Sequence, residues 1–191
     1  MPGVGIWGVP ARGSPTVAGV PIYAIDDHEP TIHPEAFVHP DAVVIGDVVI
    51  GARSSIWPCA VLRGDLGRIV VGAETSVQDG AVVHATAQLD TVIGNRVVVG
   101  HLAHLEGCRV DDASLVGTGS VVLHRAVVGT GATVAAGAVV TNDVAVPPGA
   151  LAVGVPATIK PERSRQELID ASAAIYVDNA ARFRRGLRRI G

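Results

Sequence analysis

The chain has 191 residues, of which 48% are hydrophobic, 17% are charged and only 3% are aromatic. This length and composition suit one folded domain and argue against disorder. The formal net charge of −3 gives no reason to expect binding to nucleic acid or to a membrane, and we find no apolar run of about 18 residues that predicts a membrane span. Two cysteines, Cys59 and Cys108, are too few for a disulfide framework, so we expect buried thiols in a cytoplasmic protein.

The sequence predicts that the chain has three parts. Residues 1–19 are rich in glycine and proline without a period, which indicates an N-terminal extension. From Ile32 to Ala152 an aliphatic residue returns about every six positions, which is typical of a β-helix, an all-β solenoid. We expect this domain to span residues 20–157, with two insertions, Asp65–Val70 and Ala85–Val92, forming outward loops.

The last part, residues 158–191, predicts an α-helix that packs along the coil and ends in a basic tail. We expect the helix to begin at Pro161 and to run to about Arg185. The residues predicted near its inner face are Leu168, Ser172, Ile175, Tyr176, Asn179, Phe183 and Leu187.

Polar residues far apart in the sequence become neighbours on such a coil, because equivalent positions of successive turns stack about 4.8 Å apart. Counting the repeats places Arg63, His84 and Glu106 in one column. The same count places Asp79 beside His101 on a neighbouring face. The repeat therefore predicts a cluster of imidazole and carboxylate groups.

This cluster has the composition of a metal site, since zinc takes donors at about 2.0–2.2 Å from histidine and carboxylate side chains. His84 and Glu106 can meet that requirement within one chain, whereas His101 could join them only across a trimer. Gln78 and Asp79 would orient a ligand or a bound water. We expect the remaining histidines to lie on the surface; they are His28, His33, His39 and His124.

At these positions the sequence resembles the gamma-class carbonic anhydrase family of left-handed parallel β-helix proteins. The resemblance covers about residues 21–157. Its motifs are VLRGD (Val61–Asp65), SVQDGAVVH (Ser76–His84), VVVGH (Val97–His101) and LEGC (Leu105–Cys108).

The resemblance implies a homotrimer with a metal ion, Zn²⁺ or else Fe²⁺ or Co²⁺, at each subunit interface. It identifies His84 as one ligand and His101 as the ligand from the neighbouring subunit. It also implies that Arg63 and Asp65 form an ion pair at the interface. Further positions that match the family's active site are Gln78, Asp79 and, less closely, Tyr176.

One position departs from the family. Where the family has its third histidine ligand, this chain has Glu106, and a histidine stands two residues earlier as His104. Three outcomes are open: Glu106 ligates the metal, His104 replaces it, or the site has lost its metal. If Glu106 ligates, its charge weakens the acidifying effect of the metal on bound water, so activity near neutral pH is expected to be weak. The segment Ala85–Gln88 also lacks a glutamate that could shuttle protons.

The leading functional hypothesis is a carbonic anhydrase-like lyase, in which hydroxide on the metal attacks carbon dioxide and gives bicarbonate. One alternative is a hexapeptide-repeat acyltransferase that uses acetyl-CoA, with His124 or His104 as general base. The other alternative is a non-catalytic trimer for binding or assembly.

Overall fold

A computed structural model describes residues 20–191; the predicted extension at residues 1–19 lies outside the described residues. The described chain forms short β-strands followed by one α-helix. The strands are β1 (Ile22–Tyr23), β2 (Thr31–Ile32), β3 (Phe37–Val38), β4 (Val43–Ile50), β5 (Ser55–Ile56), β6 (Val61–Val71), β7 (Ser76–Val77), β8 (Val82–His84), β9 (Thr91–Ile93), β10 (Val98–Val99), β11 (His104–Glu106), β12 (Arg109–Val110), β13 (Leu115–Val116), β14 (Val121–Val122), β15 (Val127–Val128), β16 (Thr133–Val134), β17 (Val139–Val140), β18 (Ala145–Val146), β19 (Leu151–Val153) and β20 (Thr158–Lys160). The helix is α1 (Gln166–Gly186).

Strands β1 to β19 wind into a coil, because strands on successive turns pair with each other in parallel. Leu62 pairs with Val83, Val83 with Leu105, and Leu105 with Val122. These inward-facing side chains are fully buried and form a thin aliphatic core along the axis. The predicted all-β solenoid, a left-handed parallel β-helix, is confirmed.

The first insertion is not the loop that we expected. Asp65–Val70 lies inside β6, which continues without a break through Val71. The pairing of β6 with β4 shifts between Gly46 and Val48, so a bulge absorbs the extra residues while the strand passes from one face of the coil to the next. The second insertion does protrude, as a turn closed by a bridge between Thr86 and Leu89.

The helix begins later than predicted. The chain after Pro156 first forms β20, which pairs antiparallel with β19, and α1 starts only at Gln166 rather than at Pro161. No helix among residues 20–191 combines the length and the apolar character that a membrane span requires.

The predicted inner face of the helix is correct only in part: Tyr176 and Phe183 pack against the coil as expected, but the most buried positions are different ones. Ile169, Ala173 and Ala180 are the buried positions, whereas Leu168 and Ile175 are 55% and 58% exposed. Small side chains on the contact face let the helix approach the outer surface of the eight-stranded sheet, where it contacts β3, β5, β7 and β10. The prediction relied on large apolar side chains and therefore did not include these buried positions.

An aromatic cluster fastens the helix to the coil. The ring of Trp57 lies 5.1 Å from that of Phe183 and 5.8 Å from that of Tyr176. Its indole Nε1–H donates to the buried hydroxyl of Ser76 at 2.9 Å. The hydrogen bond to Ser76 fixes the indole on the coil, and the indole in turn positions Tyr176 of the helix.

Candidate functional site

The predicted column of polar residues is present. Arg63 in β6 pairs with His84 in β8, and His84 pairs with Glu106 in β11, so the three side chains leave the same face on successive strands. The inward neighbours of these residues fill the core, which fixes the outward direction of the column. The column is partly shielded, with the side chain of His84 12% exposed and that of Glu106 25% exposed.

Both ring nitrogens of His84 face carboxylates. Nδ1 lies 2.6 Å from Glu106 Oε1, and Nε2 lies 3.3 Å from Asp65 Oδ1. Asp65 in turn accepts a 2.5 Å hydrogen bond from the Arg63 guanidinium, so the two form an ion pair within one chain, and its place at a subunit interface stays a prediction. A continuous chain of polar contacts therefore runs from Arg63 through Asp65 and His84 to Glu106.

The surroundings favour the anionic form of both carboxyl groups. Burial acts to raise the pKa of Asp65, but the hydrogen bonds and charge supplied by Arg63, with His84, outweigh it and hold that pKa below its ordinary value. The hydrogen bond from His84 lowers the pKa of Glu106, and the nearby charges of His84, His124 and His104 add to it against the opposing effect of burial.

Two further histidines meet the second oxygen of Glu106. His104 Nε2 lies 3.6 Å and His124 Nε2 lies 3.4 Å from Glu106 Oε2. His124, which we expected on the surface, is 34% exposed, but the prediction missed its contact with Glu106. Its position could have been found by counting: the repeat after Leu105 is one residue short, which places His124 next to Gly107 on the following turn.

His101 and Asp79 form a second group on a neighbouring face. His101 follows β10, and its Nδ1 lies 3.0 Å from Asp79 Oδ2, as the repeat predicted. Both side chains are about half exposed, at 46% and 48%. Because Asp79 engages Nδ1, the remaining nitrogen, Nε2, is the atom of His101 that can bind another group.

Gln78 and Tyr176 lie beside this second group. Gln78 is buried, with 4% exposure. Burial raises the pKa of the Tyr176 phenol, the charge of Asp79 raises it further, and a hydrogen bond with Gln78 acts in the opposite direction. The predicted site residues thus form two groups in one chain, one around His84 and the other around His101.

The cysteines differ from each other. Cys108, which follows the LEG of the last motif, is buried, and burial raises the pKa of its thiol to about 12. Cys59 is exposed, so the expectation of a buried thiol was wrong there. Cys59 occupies a corner of the coil with φ +60, which directs its side chain outward.

The donor set suits a metal ion, but one chain does not complete it. Two imidazoles and a carboxylate form a known class of catalytic zinc site, and His84 and Glu106 already lie side by side. Within residues 20–191, no three His, Cys, Asp or Glu side chains are arranged to hold a metal. A metal shared by His84 and Glu106 would have to replace their direct hydrogen bond, and a third donor would have to come from elsewhere.

The chain is similar in sequence to known hexapeptide-repeat proteins. The sequence pattern of the bacterial transferase hexapeptide family (six repeats) matches residues 29–64. The carnitine operon protein CaiE of Salmonella agona (strain SL483) is 40% identical over 167 residues, which cover 86% of this chain and 84% of that relative. The chain therefore belongs to the gamma-class carbonic anhydrase-like family of hexapeptide-repeat proteins.

Two solved structures share the coil over nearly their whole length. A candidate acetyltransferase of Bacillus cereus superposes with a TM-score of 0.86 at 30% identity, covering 88% of this chain and 99% of that one. A hexapeptide transferase family protein from Anaplasma phagocytophilum has a TM-score of 0.81 at 36% identity, with 86% and 98% coverage. Both agree with the fold described above.

Proposed function

We propose that the protein is a gamma carbonic anhydrase-like metalloenzyme that hydrates carbon dioxide reversibly to bicarbonate, at sites shared between the subunits of a homotrimer. The observation that carries the proposal is the in-register pair of His84 and Glu106, whose donor atoms lie 2.6 Å apart on adjacent strands. His101 supports it, because Asp79 holds one nitrogen and leaves the other available.

Each residue has a distinct task in this proposal. His84 and Glu106 of one subunit, with His101 of a neighbouring subunit, would hold a zinc, iron or cobalt ion. Such an ion supplies Lewis acidity and lowers the pKa of water that it binds. Asp79 fixes the tautomer and the ring direction of His101, as carboxylates beside metal-bound histidines commonly do. Asp65, itself held by Arg63, does the same for His84.

An outward-facing apolar column supports assembly of the chain with further copies. The column runs beside the His84 group and consists of valines on successive strands, interrupted by His104. Val82 within it is 37% exposed, and Leu102, adjacent to His101, is 69% exposed. Apolar surface of this kind around a polar site is typical of a subunit interface. The column contains Val43, Val61, Val82, Val121 and Val139.

Metal analysis followed by kinetics tests the proposal. The purified wild-type trimer is expected to contain about one zinc, iron or cobalt ion per subunit and to hydrate carbon dioxide, with a rate that increases toward alkaline pH. His84→Ala should lose both properties, whereas His28→Ala, a substitution of an exposed histidine outside the site, should keep them. Equal hydration rates in wild type and His84→Ala would refute the enzymatic assignment.

Acyl transfer from acetyl-CoA is the second candidate function. An imidazole whose Nδ1 is held by a carboxylate, as His84 is by Glu106, has the arrangement of an oriented general base. The names of the two structural relatives point the same way. Acetyl-CoA, and not zinc, would then raise the melting temperature, and Glu106→Gln would reduce acetyl transfer to a small amine or alcohol. Protection by zinc alone would rule this candidate out.

A further inference from the structure

The two oxygens of Glu106 have different surroundings. Oε1 lies 2.6 Å from His84 Nδ1. Oε2 lies 3.6 Å from His104 Nε2 and 3.4 Å from His124 Nε2. A carboxylate that simply occupied the place of a missing ligand would not need this second set of contacts. We call His104 and His124 the imidazole pair.

The coil brings the imidazole pair to Glu106 by two different routes. His104 precedes Glu106 by two residues on β11, so both side chains project from the same side of the strand. His124 comes from the next turn, where the amide of Arg125 donates to the carbonyl of Gly107. Neither histidine is brought to Glu106 through His84 or His101.

Gly107 makes room for the ring of His124. This glycine has φ +56, a conformation that residues with a side chain rarely adopt. A Cβ atom at position 107 would lie 3.1 Å from His124 Cδ2 and 3.0 Å from Leu89 Cβ, tighter than ordinary contacts. The placement of His124 beside Glu106 is thus built into the backbone of the LEGC motif.

His124 carries a polar atom that calls for an explanation. Its Nε2 is buried and has no hydrogen-bond partner within the described part of the chain. Such atoms are uncommon in folded proteins. A neutral imidazole with its proton on Nε2 can donate to a carboxylate, and Glu106 Oε2 lies 3.4 Å away, within a small side-chain rotation of a hydrogen bond.

We propose that the imidazole pair positions Glu106: His104 and His124 hold Oε2, and Oε1 is thereby presented to the metal that His84 and Glu106 would share. The inference rests on the proposed function for the identity of that metal. Partners of this kind, which hold a ligating side chain without touching the metal, typically change metal affinity by about 10–100-fold when they are removed. His104 and His124 are positioning residues in this scheme and not ligands.

Zinc affinity of the purified trimer, measured by competition with a chromogenic chelator, tests the inference. His104→Ala and His124→Ala are each expected to weaken zinc binding about tenfold, and the double variant is expected to weaken it more. His124→Gln should recover much of the loss, because its amide can still donate to Oε2. His28→Ala serves as the matched control and should bind zinc like wild type.

Two additional measurements separate positioning from a general structural role. Gly107→Ala retains every ligand and both histidines but displaces His124, so it should weaken zinc binding as His124→Ala does. In cobalt-loaded protein, the visible spectrum should change in His124→Ala and stay unchanged in His28→Ala, since it reports the ligand geometry. If His124→Ala does not fold, Gly107→Ala and His124→Gln are compared with His28→Ala in the same two measurements.

The outcomes distinguish this inference from the proposed function. Zinc affinity within twofold of wild type in the double variant overturns the positioning role, whatever the catalytic rate. Zinc binding that depends on the imidazole pair in a wild-type protein without carbon dioxide hydration supports the positioning role and overturns the proposed function. A wild-type trimer that binds no zinc overturns both.

Discussion

Replacing Glu106 with glutamine removes a charge from the centre of the cluster and retains the shape of the side chain. The carboxylate accepts a 2.6 Å hydrogen bond from His84, and the two side chains are 25% and 12% exposed. A hydrogen bond to a charged group contributes about 1.5–3 kcal/mol, against about 1 kcal/mol for a neutral one. The free energy of unfolding of the variant should therefore be lower by about 0.5–2 kcal/mol. For a chain of this size, each kcal/mol lowers the melting temperature by about 2–4 °C.

The loss should depend on pH in a defined direction. The pKa of Glu106 is held below its ordinary value of 4.5, chiefly by the hydrogen bond from His84. A group whose pKa is lowered by folding contributes stability above its unfolded pKa and loses that contribution as the pH falls through the folded value. The difference in free energy of unfolding between wild type and Glu106→Gln should therefore be largest near neutral pH. It should shrink as the pH drops below 4.5.

Thermal unfolding of metal-free protein, followed by circular dichroism across this pH range, measures the effect. Glu29→Gln, at an exposed position outside the cluster, provides the control and should show a much smaller change at neutral pH. If Glu106→Gln melts at or above the wild-type temperature at pH 7, or if the difference grows toward acid pH, the electrostatic account of Glu106 is wrong.

Three other variants or reactions test separate parts of the structure. Trp57→Ala should lower the free energy of unfolding by about 3–5 kcal/mol. It should also speed tryptic cleavage of α1, because the indole packs the helix against the coil; an unchanged melting curve would contradict this. Tyr176→Phe should keep the fold and the zinc affinity but lower the rate of carbon dioxide hydration, since only the hydroxyl beside Gln78 is lost; an unchanged rate would remove Tyr176 from the site. A thiol reagent at pH 8 should modify the exposed Cys59 and spare Cys108, whose pKa is raised to about 12, until the protein is unfolded; modification of both thiols in native protein would refute the burial.

The repeat predicts most of the fold and half of the site, because stacking of equivalent positions is a geometric consequence of the six-residue period. It therefore places His84 over Arg63 and under Glu106, as observed. It fails for His124, because one short repeat changes the count, and for Asp65–Val70, because extra residues can extend a strand as well as form a loop. The helix face is predicted only in part. Tyr176 and Phe183 contact the coil as expected, whereas close packing selects alanine at two of the most buried positions, which a pattern of large apolar residues does not reveal.

The central claim is that each site draws donors from two subunits, and mixed trimers test it most directly. His84→Ala and His101→Ala chains, each unable to form a site alone, are unfolded together, refolded at equal concentration and assayed for bound zinc and carbon dioxide hydration. Shared sites predict that random assembly restores about a quarter of the wild-type sites. Mixed trimers as inactive and as metal-free as either parent would contradict a shared site, and substantial zinc binding by the His101→Ala parent alone would show that one chain holds the metal without its neighbour.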